Sequence, residues 1–208
     1  MVRRIPDRVH RGTWRPVLSL LVGLVLAGCT GGGSSTSATS LASRTPGEGY
    51  RLDILKTTWD DALPGVTDLD TSWKVIKQLS LQDPAMTIRV DDIQSYSWAD
   101  QPIALTAAAS HTFRNTFFVK GATPLELRCF VVSLDGERLY GGVFLPQLSA
   151  IGIGFPVLDA DWDSNSVTLL LRPRHSGVPY SSLPESTKQV IEIPSLHAYL
   201  QAHGKLSD

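Results

Sequence analysis

The feature that most restricts how this chain can fold is the pair Asp135-Gly136, set between the apolar runs Leu125–Leu134 and Glu137–Phe144. Two residues that tolerate positive φ, placed between strand-like runs, predict a hairpin closed by a two-residue turn. Pairing outward from that turn sets Val132 opposite Leu139, Val131 opposite Tyr140 and Phe130 opposite Gly141, a bulky ring over bare backbone. From Cys129 to Leu134 only Ser133 is polar. A run so uniformly apolar is expected to be covered on both faces, which makes it a central strand.

Around this hairpin the periodicity predicts a sheet with helices added. Tyr50, Leu52 and Ile54 alternate with Arg51 and Asp53, and Met86, Ile88 and Val90 repeat the period of two. Tyr96 and Trp98 share that spacing before a turn at Ala99-Asp100 and a further extended stretch, Pro102–Leu105. Further strands are expected at Phe155–Leu158, Val167–Arg172 and Gln189–Ile193. Thr106 is placed to cap a helix whose inner face is Ala109, Phe113 and Phe117, with Gly121 as its stop. Ser195 is expected to open another, with Leu196, Tyr199 and Leu200 inward and Gly204 as stop. Asp70–Leu81 fits either a helix capped at Asp70-Thr71-Ser72 or a strand. Six to eight strands and two or three short helices, not in alternation, predict a single α+β domain with a largely antiparallel sheet over residues 50–208.

The start of the chain has a different character. Arg3, Arg4, Arg8, Arg11 and Arg15 precede Pro16–Gly28, an uncharged run of 13 residues rich in Leu and Val. A positive segment, an apolar segment and small residues in that order describe an export signal. The run is shorter than the roughly 17–25 residues that a spanning helix needs. It ends in Leu26-Ala27-Gly28-Cys29, which resembles the lipobox of bacterial lipoproteins. The resemblance covers about residues 15–30 and implies removal of residues 1–28, with diacylglyceryl and acyl chains on Cys29 as the only covalent groups. One chain anchors weakly, at ~0.8 kcal/mol per buried CH₂, whereas two or three hold firmly. Thr30 after the cysteine resembles outer-membrane sorting in a cell with two membranes. Residues 29–49 then read as a tether. Thr30–Gly49, 20 residues dominated by Gly, Ser and Thr, spans about 25 Å as a flexible coil and about 70 Å fully stretched.

Loss of residues 1–28 takes Lys+Arg from 19 to 14 and Asp+Glu from 20 to 19, so the mature chain carries −5. A mildly acidic body lacks the clustered Lys and Arg that nucleic acid requires, and it is not drawn to an anionic bilayer by charge. The lipid is then the membrane contact. With Cys29 modified, Cys129 has no partner in the chain; its place in the series Leu125, Leu127, Cys129, Val131 makes it a small buried hydrophobe.

Three stretches are candidates for chemistry. Asp159, Asp161 and Asp163 alternate as the start of an EF-hand calcium loop does, but Ser164 stands at the glycine position and Leu170 at the bidentate glutamate. We read a solvated acidic turn, with Ca²⁺ as the alternative. Arg172, Arg174 and His175 open a long irregular segment and suit a carboxylate or phosphate if they converge; an exposed polar loop is the other reading. His175 beside Ser176 makes no triad. Pro146–Pro156 is apolar and reads as a cover over the sheet or as a partner-binding patch. Trp59, Trp73, Trp98 and Trp162 offer ring faces for sugars or sides of a core.

No set of nucleophile, base and acid stands out. The sequence therefore reads as a lipid-anchored envelope protein whose domain binds another envelope protein or a glycan, on the periplasmic or outer surface. An envelope hydrolase without a local motif and an inhibitor or immunity lipoprotein are the alternatives. Intact-mass analysis of the processed chain is expected to show a first residue of Cys29 carrying acyl chains; an unmodified cysteine, or a different first residue, removes the anchor.

Overall fold

The computed structural model describes residues 49–207 other than 120, 123, 147, 148, 150, 151, 164, 176 and 177. The expected export signal, Cys29, the expected tether to residue 48, Ser164 and Ser176 therefore lie outside the described residues. Within them the order is β1 (Tyr50–Thr58), α1 (Trp59–Ala62), α2 (Leu69–Ile76), β2 (Met86–Arg89), β3 (Ile93–Ser97), β4 (Pro102–Leu105) and α3 (Ala107–Phe117). There follow β5 (Arg128–Leu134), β6 (Glu137–Phe144), β7 (Val157–Trp162), β8 (Val167–Arg172), α4 (Glu185–Lys188), α5 (Pro194–Ala202) and β9 (Leu206–Ser207). No helix among the described residues is long and apolar enough to cross a membrane.

The nine strands form one sheet in the order β2-β1-β5-β6-β7-β8-β4-β3-β9. The fold is α+β, but the sheet is mixed and curls into a half-barrel instead of forming a plain antiparallel layer. Its parallel junctions are β6 with β7 and β3 with β9. A parallel neighbour to β6 needs a crossover, and Leu145–Pro156 provides it.

β5 carries the packing. All seven of its residues are buried, and they divide by the period of two. Phe130, Val132 and Leu134 enter a large core with Tyr50, Leu52, Phe113, Phe117, Phe144, Leu169 and Leu196. Cys129 and Val131 face a smaller one with Leu55, Trp59, Leu63, Ile76, Val143, Ile153 and Phe155. Ile153 and Phe155 of the crossover are thus a cover over the sheet, tied down by the Gly154 N–H donating to the Thr67 carbonyl at 2.8 Å.

The hairpin turn lies where expected, with Leu134 opposite Glu137 and Asp135 and Gly136 at φ 50° and 85°. The register beyond it does not. The ladder shifts between Val132 and Ser133, leaving Leu139 as an extra residue, so Val132 faces Tyr140, Val131 faces Gly141 and Phe130 faces Gly142. A bulge re-aims the side chains beside it. Here Arg138 donates to the carbonyls of Ile76 at 3.1 Å, Lys77 at 2.5 Å and Leu79 at 2.8 Å, which closes the C-terminal end of α2.

Other expectations shift for local reasons. Of the stretch Asp70–Leu81 only the part to Ile76 is helix, α2 ending five residues short of Leu81, and its cap is Asp68, whose Oδ1 accepts the Thr71 N–H at 2.8 Å. α3 is capped by Thr106 as expected, with Ala109, Phe113 and Phe117 buried, and ends at Phe117, short of Gly121. The strand expected at Phe155–Leu158 is Val157–Trp162. Gln189–Ile193 is not a strand. Its amides are spent on turn bonds that continue α4, among them Ile191 to Lys188 at 2.9 Å and Glu192 to Lys188 at 3.0 Å, while Ile191 still fills the core. α5 opens at Pro194, one residue before Ser195, because proline suits the first helical position, where no amide bond is needed.

The parallel junction rests on one glycine. A Cβ on Gly142 would overlap the Pro156 carbonyl and lie 2.9 Å from the Phe130 ring. Gly142→Ala is expected to destabilise the domain by about 3 kcal/mol, the upper range for overpacking. Gly152→Ala, with nothing within 4 Å of its added Cβ, should leave the denaturant midpoint unchanged.

Candidate binding cleft

A concavity forms where β7 outruns β6. Phe144, the last residue of β6, pairs with Leu158, whereas β7 continues to Trp162 with only β8 beside it. The open edge is walled by the end of α3. Phe113 and Phe117 turn inward from that helix, their rings 5.0 Å apart, and Phe118, the next residue, turns out. The Phe118 ring stacks on Trp162 at 4.1 Å between centroids and 22° between planes. Phe118 is 37% and Trp162 50% exposed. The buried residues Phe144, Leu158 and Ala160 line it together with Pro124, Leu125 and Pro146. The space enclosed is about 310 Å³, within the range of small-ligand sites. Among the described residues the charged ones that line it are Glu126 and Asp159.

Of the expected calcium ligands, only Asp159 lines this cleft. Asp159 and Asp161 lie on β7, and Asp163 follows it. Asp159 Oδ1 accepts its neighbour's amide, that of Ala160, at 2.8 Å. The Asp163 carboxylate accepts the amides of Asn165 at 2.6 Å and Ser166 at 2.7 Å. Those bonds, the Asn165 amide first, hold its carboxyl below the usual range. The turn uses Asp163 to close itself, and Arg114 on α3 donates to its carbonyl at 3.3 Å. Among the described residues no group of three or more His, Cys, Asp or Glu is placed to hold a metal ion.

Arg172, Arg174 and His175 lie elsewhere. Arg172 pairs with Val157, at the opposite end of β7 from Trp162. Arg174 is exposed. The His175 amide donates to the Ile153 carbonyl at 2.9 Å, and its ring Nε2 is 2.9 Å from the Ser149 carbonyl. This histidine fastens the crossover to the segment that follows β8. Sequence reasoning named Trp162 among four tryptophans but missed Phe118. The available signal was the Phe117-Phe118 pair, whose second ring falls off the inward face of α3.

A second polar group is buried beneath the sheet. Tyr50, Tyr96, Tyr140 and Tyr180 all pack in the larger core. The Tyr96 hydroxyl donates to Gln101 Oε1, and Tyr180 donates to Glu192 Oε1 at 2.6 Å. Burial, first, pushes the phenols up. All four are neutral at physiological pH, and of them Tyr96 and Tyr180 act as donors.

No protein-family model, curated protein or solved structure matches this chain.

Cys129 is fully buried. Burial, with a smaller contribution from the charge of Asp61, pushes its thiol up to about 12. Because the thiolate is the nucleophile, the native chain is expected to resist iodoacetamide at pH 8 and to react once unfolded in guanidinium. The neutral thiol favours the folded state only below that range. Its contribution should be lost as pH rises from about 9 to about 12. Ready alkylation of native Cys129 would contradict its burial.

Proposed function

We propose that this chain is an exported lipoprotein, held to a cell-envelope membrane through acyl chains on Cys29, whose domain binds another envelope component without catalysis. The sequence support is the order of charge, apolar run and Leu26-Ala27-Gly28-Cys29, followed by a Gly/Ser/Thr tether. The single observation that carries the binding half is the exposed stack of Phe118 on Trp162 over an apolar cleft.

Its physics favours recognition. Large apolar rings held at the surface retain an unfavourable contact with water, which a ligand relieves at ~25 cal/mol per Å² covered. Their mutual stacking, and the attachment of Phe118 to the end of α3, fix them in advance, so little side-chain entropy is lost on binding. Aromatic anchors beside a pocket are the residues that dominate protein interfaces, and the free face of an indole also accepts a sugar ring.

The test uses the intact protein in its own membranes with a photocrosslinking side chain at Val119, which is 50% exposed and adjoins Phe118. One dominant envelope component, identified by mass, is expected to be captured. Trp162→Ala should reduce that capture by about tenfold, as loss of an interface anchor does, without changing the amount of protein in the membrane. Capture that is indifferent to Trp162→Ala would remove the cleft from the binding role.

A further inference from the structure

Backbone groups at the edge of β7 narrow what this cleft takes, and the inference rests on the binding reading above. Leu158 and Ala160 belong to the large core, and Asp159 between them turns to the other face, as alternation along a strand requires. All three line the cleft, so it opens along the edge of the strand and not over one face. The ladder shows which groups point there. The carbonyls of Pro156 and Leu158 accept the amides of Val143 at 3.3 Å and Leu145 at 2.8 Å, so the even-numbered residues here face the line of β6. The Asp163 amide donates to the Ser166 carbonyl at 3.1 Å, so the odd-numbered ones face β8. Ala160 and Trp162 therefore aim their amides and carbonyls towards the line of β6, past its last pairing at Leu158. The Ala160 amide is already taken by Asp159 Oδ1 at 2.8 Å. The Ala160 carbonyl and both backbone groups of Trp162 have no strand beside them among the described residues.

We propose that the cleft takes an extended peptide segment of a partner protein, which adds to β7 as a strand and prolongs the ladder that β6 leaves. Val143 shows the pattern: it sits opposite Val157 and takes the Pro156 carbonyl. In a parallel pair one residue donates to one carbonyl and accepts from the amide two residues further on. Opposite Asp161 those groups are the Ala160 carbonyl and the Trp162 amide, the two that remain once Asp159 has capped Ala160. An antiparallel strand paired with Ala160 needs the amide that is already spent. The added strand therefore runs parallel to β7, as β6 does. Its alternate side chains fall on the face of Trp162, where a large apolar residue covers the exposed Phe118 and Trp162 rings. In this mode main-chain bonds supply affinity and the alternate side chains specificity. An acyl chain would cover the same rings but has neither donor nor acceptor for the edge.

The experiment uses the full chain in detergent and a short fluorescent peptide that alternates threonine with valine around a central phenylalanine. Two copies of the peptide are N-methylated, one at the phenylalanine and every second residue from it, the other at the residues between. Anisotropy is expected to show the plain peptide and the first copy binding alike. The second copy should bind at least about tenfold more weakly, because its methyl groups replace the protons offered to the β7 edge. Amide exchange gives the matching readout on the protein. The Trp162 amide should exchange at least about tenfold more slowly with the plain peptide bound. Binding that leaves that amide unprotected, equal affinities for the two methylated copies, a reversed order between them, or displacement of the peptide by palmitate at lower concentration would overturn the proposal. If the plain peptide does not bind while crosslinking through Val119 still depends on Trp162, strand addition is wrong and the binding role of the cleft stands. If that dependence is absent too, the binding role falls with it.

Discussion

β5 has no face on water. Its odd and even side chains serve two separate cores, and its edges are taken by β1 and β6. Everything else is arranged by that burial. The large core takes rings from β1, β3, β6 and α3, while the smaller core is closed by α1, α2 and residues of the segment between β6 and β7. Arg128, at the start of the strand, is buried as well, and it is tolerated because its guanidinium donates to the carbonyls of Leu55 at 2.9 Å and Pro124 at 2.7 Å. A buried cation without such acceptors is strongly destabilising. The same bonds fix Pro124, and with it one wall of the cleft.

The cleft is a by-product of pairing geometry before it is a matter of side chains. Two parallel strands joined by a crossover need not end together, and β7 runs four residues beyond its last pairing with β6. Those residues have one free edge. A continuous sheet would leave that edge open to pairing with other chains; here α3 and the Pro124–Glu126 segment come up beside it, and the gap that remains is lined with what those elements carry. Phe118 and Trp162 meet across it because one closes a helix and the other closes a strand. The site therefore stands on regular elements, which hold its geometry more firmly than a loop does.

Local chemistry was legible in the sequence where a residue type has one physical use. Asp135-Gly136 needs positive φ, Thr106 needs an amide to cap, and Val167–Arg172 alternates cleanly. What escaped depends on distant partners. The one-residue slip of the hairpin arises at Leu139, beside an arginine that reaches the end of α2, and nothing between Leu125 and Phe144 announces that reach. Val190, Ile191 and Ile193 carry strand-like composition, yet α4 immediately before them propagates turn bonds into the segment. Asp159–Asp163 reads in the sequence as alternate carboxylates; in the fold two of them lie along a strand and the third closes a turn. Phe118 and Trp162, 44 positions apart in sequence, become neighbours only through long-range pairing of β4, β8 and β7 that no local pattern encodes.

The placement of β1 has a consequence for assembly. It is the first strand of the domain to emerge during synthesis, yet it lies inside the sheet between β2 and β5, and Tyr50 finds its partner at Leu134. Until that distant segment is made, Tyr50, Leu52, Ile54 and Leu55 form an apolar strand with one edge unsatisfied. Such long-range closure is slow, and a nascent chain in this condition is open to association with others. More than half of the domain must be made before its earliest strand can be sheltered.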